Sequence, residues 1–357
     1  MPRLSICPVL EKFISQLAAA RPLADEQVRL AVEQLTDEKV PAAGKAAFLS
    51  ALAQKGETHG EIAAFARVLR DKSIQPLLDA ETRAREILDV VGTGGDRLST
   101  FNISTTVALV AAAAGVLVAK HGNRANTSPV GSADVMEALG IPFDLGPEDA
   151  VRSLHRHNFA YFFAPKYHPA FRHIIPARKL CAERGQPTIF NFLGPLLNPA
   201  RPTAMLVGVP RPDLCEPLAQ VLQSLGVRRA MVVCGAVRDE AGSLRHLDEL
   251  SPLGPTTIAE FYQEHAVACS TLSPELFPLQ PATLADLRGG NSEVNATIIR
   301  RILRGEERGP KRDAVLLNAA AALFVAGKTK SLVEGWDLAA EIIDDGRANA
   351  KLAELAH

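Results

Sequence analysis

The chain has 357 residues, a formal net charge of -1, 47% hydrophobic residues and 22% charged residues. That length calls for one large domain or two unequal ones, and the near-neutral charge argues against a protein that coats nucleic acid or holds a membrane by basic charge. The five cysteines, Cys7, Cys181, Cys215, Cys234 and Cys269, are scattered without a C-x-x-C pair, which suits free thiols in a reducing compartment better than a disulfide framework or a zinc site.

The first segment, "MPRLSICPVLEKF", has two prolines and an early glutamate where a signal peptide needs a continuous apolar core. The longest apolar run, "VALVAAAAGVLVA", is too short to cross a bilayer. A cytoplasmic protein is expected. Helices come first: "ADEQVRLAVEQL" sets Val28, Ala31, Val32 and Leu35 on one face with Asp25 as N-cap, and Thr58 with Glu61 forms a capping-box pattern ahead of Ile62, Phe65 and Leu69.

After residue 86 the pattern changes. "ILDVV" reads as a strand, "STTVALVAAAAG" as a helix and "VLVAK" as a second strand; "AMLVGV" and "RAMVVCG" are further strands around the helical "EPLAQVLQSLG". Three helical segments close the chain, "NATIIRRIL", "RDAVLLNAAAALFVAG" and "VEGWDLAAEII". The expected class is α/β, with a small all-helical domain over 1–80, joined by helices near 172–190, and a large domain over 81–357 with a mostly parallel central sheet flanked by helices.

Four clusters carry chemistry. In "DVVGTGGDRLSTFNISTT", Gly92, Gly94 and Gly95 follow a strand and precede a helix, where bare backbone N–H groups can approach an anion. No Gly-Lys-Ser/Thr follows, and Arg97 takes the third-glycine position of a dinucleotide fingerprint, so neither common nucleotide motif applies. Asp96, Thr100, Asn102, Ser104 and Thr105 add polar groups suited to sugar and phosphate oxygens, and Ser104 also suits a magnesium ion. The second cluster, "AKHGNRANTSPVGSAD", offers Lys120, Gly122, Asn123, Arg124, Asn126, Thr127, Ser128 and Ser132 at the end of the next strand. Two such loops at adjacent strand ends suggest a ligand with two phosphate-bearing ends.

The third cluster, "HLDELSPLGPTT", places Asp248 beside Glu249, hard oxygen ligands of the kind magnesium takes. Asp239 and Glu240 repeat the dipeptide in a weaker setting. The fourth, "FAPKYHPAFRHIIPARK", sets His168, Arg172, His173, Arg178 and Lys179 among aromatics. It reads either as a carboxylate-binding site for an aromatic acid or as a basic helix face.

Along its whole length the chain resembles the anthranilate phosphoribosyltransferase family. The likeness runs through "FLSALAQKGETHGEI", "DVVGTGGD", "TFNIST", "KHGNR", "GSADVMEALG", "FAPKYHPAFRHIIPAR", "NFLGPLLNPARP", "LDELSPLGPTT" and "RDAVLLNAAAAL" in order. It implies a helical and an α/β domain, a homodimer formed through the helical part, and magnesium-dependent transfer from phosphoribosyl pyrophosphate to anthranilate. The implied phosphoribosyl pyrophosphate residues are Gly92, Gly95, Asp96, Thr100, Asn102, Ser104, Thr105, Lys120, Gly122, Asn123, Arg124, Ser128 and Ser132. Gly92, Asn123 and Arg178 would meet anthranilate with His121 and His168 nearby, and Ser104, Asp248 and Glu249 would hold magnesium. The resemblance implies no acid–base triad, no nucleic-acid partner and no membrane.

Three positions depart from the family pattern. Pro129 and Val130 stand where lysine and serine are common, Cys234 stands for the histidine of V-V-H-G, and "AVRDEAGSLRHLDE" is longer than the commonest form. A pyrimidine-nucleoside phosphorylase has a similar plan but should not combine "GTGGD…NIST" with "LDEL". A non-catalytic nucleic-acid-binding paralogue should show a basic surface and eroded site positions, whereas Ser104, Asn123, Arg178, Asp248 and Glu249 are all present.

Overall fold

The computed structural model describes residues 7–125 and 130–356. Ser128 lies outside the described residues, as do Asn126, Thr127 and Pro129. The chain divides into two compact units: the chain up to Gln75 with Pro165–Pro199, and Pro76–Ala164 with the chain from Ala200 onward.

The first unit is helical. Helices α1 (Pro8–Ala18), α2 (Asp25–Thr36), α3 (Ala42–Lys55) and α4 (His59–Asp71) bury apolar faces at three- and four-residue spacing. In α2 the buried residues are Val28, Ala31, Val32 and Leu35, the expected stripe. Its cap differs from expectation: Ala24 is the N-cap, and Asp25 is the first helical residue, where its charge still complements the helix dipole.

Thr58 caps α4 as expected. Its hydroxyl accepts the Glu61 N–H at 3.2 Å, while the Glu61 carboxylate accepts the Thr58 N–H at 2.9 Å. Glu61 is buried and also accepts from Leu23 N–H at 2.9 Å and from Lys55 Nζ at 2.6 Å. Residues 165–199 join this unit through the helix Ile175–Ala182 and through Lys45, whose buried ammonium donates to the carbonyls of Asp37 (2.7 Å) and His173 (2.8 Å).

The second unit is built on one sheet. Its strands are β1 (Ile87–Gly92), β2 (Leu117–Gly122), β3 (Phe159–Phe163), β4 (Ala204–Gly208), β5 (Arg229–Arg238), β6 (Leu244–Leu247), β7 (Thr256–Tyr262) and β8 (Ala268–Leu272). The order is β3-β2-β1-β4-β5-β7-β8, with β6 paired to β5. The five strands from β3 to β5 are parallel, whereas β6, β7 and β8 are antiparallel additions. Four of the five parallel strands, β1, β2, β4 and β5, are the ones expected from apolar runs, whereas β3 was not expected. The antiparallel ones are more polar and one-sided (β8 is largely exposed), so they lack that signature.

Helix α5 (Ile103–Ala113), the helix Pro310–Val325 and the helix Leu332–Asp344 share one large apolar core with Val90, Val118, Leu206, Met231 and Val233 of the sheet. Alternation along β5 sends Val232 and Cys234 to the other face, the side of the helix Cys215–Ser224. No helix of the described residues is long and apolar enough to cross a membrane.

Candidate active site

The parallel strands β1 and β2 both run into polar, glycine-rich connections at the same edge of the sheet, the place where open α/β sheets bind ligands. There a cavity of about 760 Å³ opens. Its lining contains Gly92, Gly95, Asp96, Thr100, Asn102 and Ser104 from the β1–α5 connection. Lys120, His121, Gly122, Asn123, Arg124 and Ser132 enter from the end of β2 and beyond, and Asp248 and Glu249 from the loop after β6. Three clusters far apart in sequence thus meet on one cavity. Thr105 does not line it: the residue is buried, and its hydroxyl finds no partner among the described residues.

The β1–α5 connection is shaped for backbone donors. Gly94 and Gly95 take left-handed conformations (φ 73° and 92°), and Arg97 and Ser99 do so without being glycine (59° and 55°). Asp96 folds the turn by accepting the Leu98 N–H at 3.1 Å. Asn102 precedes α5 but does not cap it, because its side-chain oxygen accepts instead from Asn295 Nδ2 at 2.9 Å. The first turn of α5 therefore has no side-chain cap from its own N-cap residue, and its Ser104 N–H is met instead by a carboxylate from the loop after β6.

The acidic pair is seated on strand ends. Gly92 and Gly208 are register partners on β1 and β4, and Asp248 lies directly over both. A Cβ on Gly208 would overlap the Asp248 carbonyl, one on Gly92 would strike its carboxylate, and one on Gly235 would come 2.6 Å from the Glu249 carbonyl. Asp248 accepts the Gly94 N–H at 2.8 Å, and Glu249 accepts the Ser104 N–H at 3.2 Å. Burial and the nearby Asp96 charge push Asp248 up to about 7. Burial and Asp248 push Glu249 well above the carboxylate range. Such a pair favours a cation or a proton.

Lys120 is the buried counter-charge. Its ammonium donates to the Val90 carbonyl at 2.7 Å and stands 3.5 Å from the Ser104 hydroxyl. Burial lowers its pKa, against the pull of Asp89 and Glu249. Arg124 is engaged by Asp134 (2.7 Å) and Glu137 (2.8 Å). Ser132 shares a 2.7 Å hydrogen bond with the Tyr161 hydroxyl, and Gly122 leaves room for that pair.

His168 and Arg178 belong to the helical unit. There His168 stacks on Phe171 (5.1 Å between ring centres), Phe171 meets Phe190 edge-on (5.7 Å), and the Arg178 guanidinium lies 5.3 Å over Phe190. Burial drops His168 to about 4, against a hydrogen bond with the Leu197 backbone, so it is neutral at pH 7. Arg172 is exposed and points to its neighbour His173.

Sequence reasoning missed Gly208, Gly235 and Tyr161. Gly208 ends an apolar strand, as Gly92 does, and that shared position was the available signal; Gly235 lies inside β5 and carried no such signal. Cys234 is buried and pushed up to about 12 by burial and by Asp248, which makes it an inert thiol.

Residues 84–349 match the family described as glycosyl transferase family, a/b domain, and residues 11–73 match its helical bundle domain. The anthranilate phosphoribosyltransferase of Geobacter sulfurreducens is 43% identical over 97% of this chain and 98% of its own. The crystal structure of the Thermus thermophilus anthranilate phosphoribosyltransferase superposes with a TM-score of 0.85 at 40% identity, over 96% of this chain and 98% of that one. The Saccharomyces cerevisiae enzyme in complex with PRPP and Mg gives a TM-score of 0.81 at 26% identity, over 97% and 96%. Two domain matches in the right order, and identity sustained across both units, establish that the chain belongs to the anthranilate phosphoribosyltransferase family.

Proposed function

We propose that the cavity at the ends of β1, β2 and β4 binds phosphoribosyl pyrophosphate, and that the chain transfers its phosphoribosyl group to the amine of anthranilate. The C1–N bond forms as the C1–O bond to pyrophosphate breaks, with inversion, and the amine proton passes to water. The products are N-(5-phosphoribosyl)anthranilate and pyrophosphate, a step of tryptophan biosynthesis. The observation that supports the cavity assignment most is the meeting of two donor-rich loops and a buried acidic pair on one cavity.

Backbone N–H groups of the glycine loop would hold the diphosphate, joined by Asp96, Thr100, Asn102 and Ser104. Lys120, Asn123, Arg124 and Ser132 would take the remaining ribose and phosphate oxygens. Thr105 would act from beneath, through packing.

The donor set also fits magnesium. Asp248, half-buried, and Glu249, buried, are carboxylates with raised pKa values, the Ser104 hydroxyl lies in the same cavity, and His or Cys ligands are absent from the described lining residues apart from His121. No group of three or more His, Cys, Asp or Glu side chains with metal-holding geometry occurs among the described residues. An ion that keeps waters and shares the substrate's phosphates suits this set better than a closed protein cage does. Asp248, Glu249 and Ser104 would hold magnesium there, and it would supply positive charge to offset that of the leaving diphosphate.

Arg178 would bind the anthranilate carboxylate, with Asn123 and Gly92 orienting the amine, and His121 and the neutral His168 would serve the same substrate. An arylamine is nucleophilic without deprotonation, so positioning replaces a general base. We also propose a cytoplasmic homodimer associating through the helical unit, checked by sedimentation equilibrium of the purified chain.

Loss of anthranilate fluorescence tests the reading, with protein, phosphoribosyl pyrophosphate and magnesium each omitted in turn. Loss that needs all three supports it; no loss with folded protein overturns it. Arg178→Ala should raise the KM for anthranilate by about tenfold or more, the scale of one lost charge-assisted contact. The KM for the sugar donor should not change.

A further inference from the structure

Asn318 sits in the middle of the helix Pro310–Val325, fully buried, in the otherwise apolar run "AVLLNAAAAL". Asparagine is a weak helix former, and a buried amide must satisfy every donor and acceptor. The Asn318 amide does so mainly on one residue. Its Oδ1 accepts the Leu250 N–H at 2.9 Å, and its Nδ2 donates to the Leu250 carbonyl at 3.0 Å. The same Nδ2 donates to the carbonyl of Ala314, one turn back, at 2.9 Å.

A side chain that grips both the N–H and the C=O of one residue does what a neighbouring strand would do, fixing that backbone in position and rotation. Leu250 follows Glu249 directly. The segment 248–251 is thereby held from two sides. Gly92 and Gly208 at the ends of β1 and β4, with Gly235 inside β5, give it a surface it can approach closely, and Asn318 ties it down from the helix. Without the tie, two adjacent buried carboxylates would be free to move apart or toward water, which their mutual repulsion favours.

We infer that Asn318 is a positioning residue for Asp248 and Glu249, with Gly208 as its counterpart on the sheet. The inference rests on the reading of that pair as the cation site for the diphosphate.

The test is Asn318→Ser. A helical serine hydroxyl reaches the carbonyl one turn back, so the Ala314 bond survives, but it is too short for Leu250. The readouts are half-saturating magnesium, KM for each substrate, and calorimetric binding of Mn2+ with pyrophosphate, which needs no turnover. We expect half-saturating magnesium to rise about tenfold or more, kcat to fall, and Mn2+–pyrophosphate binding to weaken alike, because displacements of about 1 Å have effects of this size. The KM for anthranilate should stay within about twofold.

Ile342→Val, a core change in a different helix, controls for lost stability and should move none of these. Gly208→Ala displaces the same loop from the opposite side and should reproduce the signature if Asn318→Ser does not fold. An unchanged metal requirement in either folded variant, with a loss of Tm only, would overturn the inference. A wild-type protein that binds Mn2+–pyrophosphate but transfers nothing to anthranilate would instead break the reading of the reaction.

Discussion

Two acidic dipeptides nine residues apart meet opposite fates. Asp239–Glu240 closes the turn between β5 and β6: Asp239 accepts the N–H groups of Ala241 (3.1 Å) and Ser243 (2.9 Å), and Glu240 pairs with Arg288 at 2.9 Å on the surface. Asp248–Glu249 lies over the strand glycines on the cavity wall, Asp248 half-buried and Glu249 buried, and its few donors are backbone N–H groups. Side-chain chemistry is the same in both. What differs is where the backbone seats them: one pair satisfied by its own turn, the other left with unmet demand for positive charge.

That contrast can be broken most directly by neutralising each pair. Asp248→Asn with Glu249→Gln should lower kcat/KM by about a hundredfold or more, the scale on which loss of transition-state charge stabilisation is felt, and flatten the response to magnesium. Asp239→Asn with Glu240→Gln should change kcat/KM by less than about twofold, because exposed ion pairs contribute little. Equal losses from both would erase the distinction.

The pH dependence of stability sharpens it next. The raised folded pKa of Asp248 means that, from about its ordinary 3.8 up to about 7, the folded state retains a proton that the unfolded chain has released. The Asp248 contribution should therefore lower the stability of the metal-free protein across that window by about 2–4 kcal/mol, and Glu249, raised as well, should add to the fall. Denaturant titrations at several pH values read the slope. It should vanish in the Asp248→Asn, Glu249→Gln variant and persist in the Asp239→Asn, Glu240→Gln variant.

The smallest expected effect belongs to the turn. Asp239→Ala removes two hydrogen bonds to turn N–H groups and should cost about 1 kcal/mol of stability, with activity unchanged. Thermal denaturation beside a rate measurement would show it; a loss of activity would implicate that turn in the site after all.

Four of the five parallel strands were legible because strands covered on both faces are continuous apolar runs, as in "ILDVV" and "AMLVGV", while the short aromatic edge strand β3 was not read. β7 and β8 escaped because one-sided, partly exposed strands carry weaker patterning, and their partners are chosen by tertiary contact. The cap of α2 moved by one residue because Asp25 serves equally well just inside the helix.

Among site residues, the loop clusters were legible because glycines, hydroxyls and paired acids are rare in combination at strand-to-helix junctions. Thr105 was misplaced relative to the cavity wall because helical periodicity turns it inward, one residue past Ser104. Asn318 gave no local sign of its partner, sixty-eight residues away.

By itself the sequence determined the two kinds of region, the identity of the loops, and the family, since each depends on residue type and order. Only the tertiary structure decided which of two identical acidic dipeptides is buried, which glycines make room for it and which amide holds it. Those outcomes depend on distances between segments far apart in the chain, and local propensity carries no information about them.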